Sequence, residues 1–299
     1  MVAAKRLLKN FWTKNYSVHE IFFKNLKKNQ VYSYLKKQHF IEYEIIKKNF
    51  LIQYCEKYPV GYMLKYQNRS IGFLGTLFSI RSIKNKKKLF CNIHSWLVDI
   101  NHRIASQLLF KKILNKCIIT VLTARPGLTR TFKEMGFKSF QMKYRILCLI
   151  NFSYFFNDKK NTSINMNKSW IFKKIKKKNI RIYNEHTHEK FIKFIVYDNK
   201  KKKDYSFVVG KIVKKKKFFK VLNIIYADNE VFFRKNWKAI QTSILSRFKI
   251  FFCGHYFLKN KDSLLPKISF FSKSVERKIF IKNVPKDFKF NTLYSEIDL

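Results

Sequence analysis

Residues 97–109 read "LVDINHRIASQLL" and join two kinds of sequence pattern. The residues up to Asp99 are typical of a strand. After them, apolar residues recur at the i, i+3, i+4 and i+8 spacing of a helix: Ala105, Leu108, Leu109 and Ile113. The first turn of such a helix offers unpaired backbone N–H groups and a positive dipole end, which favour phosphate. Arg103 in that turn either adds a charge-assisted contact to a pyrophosphate or is a surface arginine at a helix start.

The flanking residues predict a mixed α/β layer. A hairpin is predicted at "QNR" (67–69), and a second turn at "KNKKK" (84–88) leads into the strand "LFCNIHSWLVDI". Beyond the helix come the strand "CIITVLT", the turn "ARPG" and the short helix "LTRTFKEM", which ends before Gly136. The predicted order is three strands, a helix, a strand and a helix, with the helices packed on the sheet.

Two helices are expected nearer the N-terminus. Ser17 and Glu20 have the spacing of a capping box before "IFFKNLKKNQVYSYLKK". A second helical stretch is expected at about 40–56, ending before Pro59.

The same order of elements returns later in the chain. Residues 157–180 are polar and lysine-rich and are interpreted as a linker. Beyond them "YSFVVGKIV", "FFKVLNIIYADN", a helix at about 230–247 and "KIFFCGHYF" repeat the earlier pattern. This alignment makes Asp99 and Asp228 equivalent and predicts two tandem halves, 1–156 and 181–299. The alternative is a coincidence, since any α/β chain offers some such matches.

The charge is extreme, with 64 Lys plus Arg against 18 Asp plus Glu and a net charge of +46. Such a charge is typical of proteins with a polyanionic partner. Lys, Asn, Phe and Ile are inflated together, however, which favours compositional drift and a solvated lysine surface. The lysine clusters also lack the regular aromatic interleaving of a base-stacking surface. Nucleic-acid binding is therefore possible but not favoured.

The cysteines and histidines indicate no metal site. Five widely spaced cysteines without a CxxC pair fit buried thiols in a reducing compartment. His186 and His188 form an incomplete ligand set for zinc. No secretion signal and no apolar run long enough to span a bilayer is found, so the expected location is the cytoplasm.

Residues 58–140 carry a family resemblance in "GYMLKY…SIGFLGTLFS…CNIHSWLVDINHRIASQLL…TVLTARPGLTRTFKEMGF". This segment resembles the GNAT superfamily of acyl-CoA-dependent N-acyltransferases. The resemblance implies a GNAT-like fold that binds acetyl-CoA or another acyl-CoA without a metal. It implies a coenzyme site at Leu97, Val98, Arg103, Ile104, Ala105, Ser106 and Gln107.

Two positions depart from the family pattern. Leu108 stands where a small residue usually lets the pyrophosphate approach, and Phe132 stands where the family often has a tyrosine that protonates the departing thiolate. Coenzyme A binding therefore fits the sequence better than conventional acetyl transfer does.

His94 and Asp99 are the candidate catalytic bases on the strand before the turn. Strand alternation predicts that His94, Trp96 and Val98 share one face. His94 has a neutral-range unperturbed pKa. A lone histidine on an apolar strand is, however, more often a satisfied core residue than a catalytic base. Asp99 is also readable as a turn or helix-capping residue.

The function predicted from the sequence is transfer of an acyl group from acyl-CoA to an amine or hydroxyl acceptor. The tandem arrangement leaves room for a large acceptor. A polyanion-binding protein on the same scaffold and a non-catalytic acyl-CoA sensor are the alternatives.

Overall fold

The computed structural model describes residues 15–26, 31–37, 54–84, 86–150, 162–187, 191–201, 203–215, 219–266, 272–285 and 290–295. Its strands are β1 (Tyr16–Ile21), β2 (Gly61–Tyr66), β3 (Arg69–Ile83), β4 (Lys86–Val98), β5 (Ile118–Val121), β6 (Lys138–Cys148), β7 (Thr162–Asn165), β8 (Phe191–Asp198), β9 (Tyr205–Lys215), β10 (Phe219–Ala227), β11 (Phe252–Leu258) and β12 (Ser272–Lys282).

The α-helices are short. They are α1 (Val31–Lys37), α2 (Leu108–Lys111), α3 (Thr129–Glu134), α4 (Lys168–Lys174), α5 (Lys177–Glu185), α6 (Glu230–Lys235) and α7 (Trp237–Phe248). A 3₁₀ helix, Ile100–Gln107, leads directly into α2.

All twelve strands form one sheet, in the order β1-β2-β3-β4-β5-β12-β6-β11-β10-β9-β8-β7. Antiparallel β1 to β4 are followed by β5, which is parallel to β4. Antiparallel β7 to β10 are followed in the same way by β11, which is parallel to β10. The sheet is therefore built from two halves with the same strand order, as the sequence repeat predicts.

The two halves exchange their last strands. β12, from the end of the chain, lies between β5 and β6 and is antiparallel to both. β6, the last strand of the first half in sequence, pairs instead with β11 of the second half. Each half thus takes its sixth strand from the other. The boundary predicted at 156/157 stays a prediction, but a cut there would separate paired strands.

Helices cover both faces of each half. In the first half one face packs on the 3₁₀ helix, α2 and α3 through Ala105, Leu109, Phe110 and Phe132. The other face packs on α1 through Val31, Tyr34 and Leu35. In the second half α7 covers one face and α4 lies on the other.

Most of the predicted elements between 61 and 148 are confirmed. The turn at "QNR" is formed by Gln67 and Asn68, both with positive φ, 46° and 66°, as a tight hairpin requires. The second hairpin turns at Lys84, φ 46°. Gly136 follows α3 with φ 79°, the left-handed conformation in which a glycine commonly ends a helix.

The helix predicted from the Ser17 capping box is wrong. Ser17 lies in β1, where it pairs with Lys65, and its hydroxyl contacts His19 Nε2 at 2.9 Å. After β1 come a short 3₁₀ turn, Phe23–Asn25, and then α1. Pairing with β2 decides this local conformation over the capping motif. The predicted helix at 40–56 falls mostly outside the described residues.

The segment predicted as a linker is structured over its described part. β7, α4 and the first turn of α5 lie between residues 162 and 180. Asn167 caps α4 by accepting from the backbone N–H of Trp170 at 3.1 Å. Within the described residues no helix is long and apolar enough to cross a membrane.

Candidate functional site

β4 carries a bulge at His94. The pairing of β3 with β4 runs Thr76 to Ile93 and then Gly75 to Ser95, so His94 is the extra residue. The parallel pairing of β4 with β5 stops at the pair Ile93 and Val121, where β5 ends. Residues 94–98 of β4 therefore extend beyond the end of β5.

The bulge changes the face on which His94 lies. Trp96 and Val98 pack on the cluster covered by the 3₁₀ helix and α2. His94 lies instead against Gly75, where a built Cβ would meet the ring at 2.3 Å, and Nδ1 contacts the Ser95 hydroxyl at 3.0 Å. Gly75 shares its face with Phe73, which packs on α1. The prediction that His94 shares a face with Trp96 and Val98 is therefore wrong, because the bulge adds a residue.

Burial lowers the pKa of His94 to about 4. The imidazole is therefore neutral at pH 7 and is a weak base. It is half-buried, so part of the ring surface still reaches solvent.

Asp99 joins the end of β4 to the opposite helix. Its backbone N–H donates to the Ile71 carbonyl at 2.8 Å. Its carboxylate accepts from the Tyr34 hydroxyl at 3.1 Å, and the same hydroxyl lies 2.9 Å from the Ile71 carbonyl. Asp99 stands at the N-terminal end of the 3₁₀ helix without a side-chain capping bond. Its observed contacts are those of a turn residue.

A cavity of about 460 Å³ opens at this turn. Its lining includes Val98, Asp99 and Arg103 of the predicted site, together with Arg69 from the start of β3 and His102. The His102 ring packs beside Tyr66 and contacts the Tyr16 hydroxyl through Nδ1 at 3.0 Å. The cavity is thus a polar site with two guanidinium groups at the end of β4.

The other predicted coenzyme residues are spread around the turn. Ile104 is 79% exposed, Gln107 is exposed and Ser106 is half-buried. Ala105 is buried in the core, so its small side chain serves helix packing. Leu97 packs toward α1 on the opposite face. The turn forms a 3₁₀ helix instead of the predicted α-helix start.

A row of aromatic rings lies on the face of the sheet that the 3₁₀ helix, α2 and α3 cover. Phe132 of α3 stacks on Phe280 of β12 at 4.8 Å between ring centroids and lies 5.6 Å from Trp96 of β4. Phe110 of α2 packs edge-on against Trp96 at 4.8 Å. Because β5 lies between β4 and β12, this row passes over the end of β5.

The remaining histidines do not form a metal centre among the described residues, where no group of three or more His, Cys, Asp or Glu could hold an ion. His188 lies outside those residues. His186 is 1% exposed, and its Nδ1 lies 2.8 Å from the Ile182 carbonyl. His255 is buried and its Nδ1 accepts from the Leu264 N–H at 3.3 Å. Both are core histidines.

Sequence reasoning missed Arg69 and His102. Arg69 belongs to the "QNR" hairpin, whose turn was recognised without a role for its arginine. An antiparallel hairpin places the start of β3 beside the end of β4, since Gly72 pairs with Val98. From that pairing, Arg69 could have been predicted to lie near Asp99 and Arg103.

Three solved structures resemble most of the chain. A GCN5-related N-acetyltransferase from Anabaena variabilis is 12% identical with a TM-score of 0.55, over 89% of this chain and 72% of that one. A GCN5-related N-acetyltransferase from Kribbella flavida is 8% identical with a TM-score of 0.52, over 89% and 71%. A probable N-acyltransferase from Enterococcus faecalis is 11% identical with a TM-score of 0.53, over 89% and 72%.

No protein-family model matches the sequence, and no curated protein matches it. At these identities the structural likeness defines the fold. The protein has the GNAT fold, and its strand order places two GNAT-like halves in one sheet.

Proposed function

We propose that the first half binds an acyl-CoA and that the protein transfers the acyl group to an amine or hydroxyl acceptor. The observation that carries the proposal is the turn after β4, where Arg69 and Arg103 line a cavity beside the start of an uncapped helix. The resemblance of residues 58–140 to acyl-CoA-dependent enzymes and the GNAT fold both support it.

The charges at the turn suit a pyrophosphate. Guanidinium groups make strong charge-assisted hydrogen bonds to phosphate. No acidic residue lies in the first turn of the 3₁₀ helix, and no side chain caps its N–H groups. The one carboxylate at the cavity, Asp99, accepts a hydrogen bond from Tyr34. A phosphate group would therefore meet donors on two sides.

Residues 94–98 of β4 carry the groups proposed to act in the transfer itself. A thioester is already activated, so the protein needs to place the acceptor and polarise the carbonyl. The backbone N–H of Leu97 or Val98 on this part of β4 is the proposed polarising donor. The acceptor nitrogen or oxygen bonds to the acyl carbon as the carbon–sulfur bond breaks, and neutral His94 is the proposed group that takes the acceptor's proton. Because its pKa is depressed, we expect slow transfer.

A non-catalytic acyl-CoA sensor is the second candidate. The observation that favours it is Phe132, which is 1% exposed within the aromatic row and carries no hydroxyl. The groove between the halves is the proposed place of an acceptor if one exists.

The experiment is calorimetric titration of the full chain with coenzyme A. Arg103→Ala should weaken binding by about 1–3 kcal/mol, as expected for loss of a hydrogen bond to a charged group, which is roughly five- to 150-fold. Arg234→Ala is the matched control, because Arg234 lies on the equivalent helix of the second half and pairs with Asp262 at 3.7 Å. Equal affinity of wild type and Arg103→Ala would contradict the proposed site.

Turnover separates the two candidate functions. Release of free thiol from acetyl-CoA with a panel of amine acceptors should be measurable and should fall in His94→Gln. Tight binding of acyl-CoA with no thiol release would favour the sensor. Salt-dependent nucleic-acid binding with no effect of coenzyme A would contradict both.

A further inference from the structure

Two isoleucines on the turn after β4 are left in solvent. Ile100 is 71% exposed and Ile104 is 79% exposed, the two highest values for large apolar side chains in the part of the chain that the structure describes. Both lie on the 3₁₀ helix Ile100–Gln107, about one helical turn apart. Single apolar residues are normal on a protein surface, whereas a pair at one place forms a local apolar patch.

These isoleucines have no part in the core that the helix covers. The inner face of the same segment is buried through Ala105 and, in α2, through Leu109 and Phe110, each at most 1% exposed. Ile100 and Ile104 belong to none of the apolar clusters of the described residues. Folding therefore gains little from an isoleucine at either position, and binding to something outside the chain is the better explanation.

The exposed face of this segment is also cationic. Arg103 lies between the two isoleucines in sequence, and α2 and the residues after it add the exposed lysines Lys111, Lys112 and Lys116. No Asp or Glu occurs between residues 100 and 117. We call the exposed side of residues 100–116 the basic apolar face. It combines apolar side chains in solvent with positive charge that no acid of the segment offsets.

A lipid surface with anionic headgroups fits both properties of this face. Helical segments that lie on membranes place apolar side chains at the boundary of the acyl chains and keep Lys and Arg at the phosphates. A second copy of the chain is a poor occupant, because each copy has a net charge of +46 and the two would repel. A nucleic acid would meet the cations, but isoleucine offers no aromatic ring on which a base could stack.

We propose that the basic apolar face docks on an anionic membrane surface, with Ile100 and Ile104 inserted among the lipids and the three lysines at the headgroup phosphates. Ile100 and Arg103 also line the cavity of about 460 Å³, so the mouth of the cavity opens on the docked side. Docking needs no coenzyme, and the inference therefore stands apart from the proposed acyl transfer.

The equivalent turn of the second half provides a matched control. Val231 in the first turn of α6 is 69% exposed, close to the value for Ile100. It is a single apolar side chain, and Glu230 beside it would be repelled by anionic headgroups. Val231→Ser should therefore leave membrane binding unchanged.

The experiment is cosedimentation of the full chain with lipid vesicles. Vesicles of phosphatidylcholine alone are compared with vesicles that also contain about 30 mol% phosphatidylserine, which supplies the negative surface charge. The wild-type chain should bind the anionic vesicles more tightly. The double variant Ile100→Ser, Ile104→Ser should weaken that binding at least about tenfold, because insertion of two apolar side chains is lost. Both positions are largely exposed, so the fold should tolerate the change.

Two further pairs of substitutions separate the basic apolar face from the general charge of the chain. Lys111→Gln, Lys112→Gln should weaken binding to the anionic vesicles about fivefold or more. Lys177→Gln, Lys178→Gln removes the same charge from exposed positions on α5 and should have little effect. A gain in binding guards against misfolding as the cause of a loss: Ile100→Trp, Ile104→Trp should bind more tightly than wild type, since tryptophan favours the membrane interface.

Four results would overturn the inference. A wild-type chain that does not bind the anionic vesicles is one, and an equal loss in the isoleucine variant and in Val231→Ser is another. Equal losses in the two lysine variants would show that the total charge of the chain drives binding. If a single-stranded RNA binds more tightly than the vesicles and loses affinity in the isoleucine variant, the face takes nucleic acid instead. Calorimetry with coenzyme A tests the proposed function separately, so the failure of one proposal is distinguishable from that of the other.

Discussion

The two helix starts that follow β4 and β10 share the contacts of an aspartate and differ in how the first turn of the helix is capped. The Asp99 N–H donates to the Ile71 carbonyl at 2.8 Å, and the Asp228 N–H donates to the Phe207 carbonyl at 3.0 Å. Each aspartate also accepts from a residue on a helix across the sheet. Tyr34 donates to Asp99, and Asn179 donates to Asp228 at 2.7 Å. The equivalence of Asp99 and Asp228 predicted from the sequence is thus visible in the contacts.

In the second half, the chain's own side chains cap the helix end. Asn229 accepts from the Phe232 N–H at 3.1 Å and caps α6, and Glu230 adds a negative charge to the first turn. The first half has neither a capping bond nor an acidic residue at this place, and has Arg69 and Arg103 beside it. The two turns therefore share the contacts of their aspartates, while only the first has an uncapped helix end beside arginines, an arrangement that favours an anion.

The phenylalanines of the second turn do not account for this difference. Phe233 is fully buried in the core beneath the helix, with a relative exposure of 0%. Capping by Asn229 and the charge of Glu230 are the features that disfavour a phosphate there.

The largest expected effect comes from breaking the strand exchange. A chain that ends at residue 266 lacks β12, which pairs with β5 and β6 and contributes the buried Ile279, Phe280 and Ile281. Loss of this strand removes core packing from both halves and exposes two strand edges. We expect no cooperative unfolding transition by circular dichroism. A sharp transition retained by either half would show that the halves are independent.

The next largest effect is a difference in stability between the single variants Asp228→Ala and Asp99→Ala. Asp228 accepts from the Asn179 amide and from the Phe207 N–H, each at 2.7 Å. Asp228→Ala leaves both donors buried and unpaired, so we expect a loss of about 3–5 kcal/mol in the free energy of unfolding. Asp99→Ala should cost about 1 kcal/mol, because the Tyr34 hydroxyl retains the Ile71 carbonyl. Urea denaturation measures both, and equal losses would contradict the assignment.

Acid should affect the second half more than the first. Burial lowers the pKa of His186 to about 4 and that of His255 to about 3, whereas the unfolded chain titrates near pH 6.5. Between these values the unfolded state binds more protons, so stability is complete above pH 6.5 and falls as the pH drops. The loss is at most about 3 kcal/mol for His186.

Hydrogen exchange at pH 7.5 and pH 5 checks this prediction. Amides of β8 to β11 should lose more protection at the lower pH than those of β2 to β4, since in the described part of the first half only His94 has its pKa lowered to about 4. His186→Gln should flatten the pH dependence. Equal loss of protection in both halves would contradict it.

Local patterns predicted the parts of the fold in which neighbours in sequence are also neighbours in space. The hairpin at Gln67 and Asn68, the helix after Asp99 and the glycine end at Gly136 are of this kind. β12 was missed because its partners are distant in sequence, as in the pair Thr120 and Ile281. The Ser17 motif failed for the same reason, because pairing with β2 decides the conformation there.

For the candidate site, the sequence predicted the position in the chain better than the arrangement of the side chains. The sequence located the turn at Asp99 and Arg103, which line one cavity. It could not place His94, because one bulged residue reverses the faces that alternation predicts.

The smallest expected effect tests whether the second helix end is closed only by its cap. Asn229→Ala removes the side chain that accepts from the Phe232 N–H and should cost about 1 kcal/mol of unfolding free energy. The affinity for coenzyme A should be unchanged, and the stoichiometry should stay at one site per chain, because Glu230 still disfavours an anion at that turn. The double variant Asn229→Ala, Glu230→Gln removes both obstacles. If calorimetry then finds a second, weak coenzyme site, the two turns differ only in these two residues; if binding is unchanged, the arginines of the first half are what the second lacks.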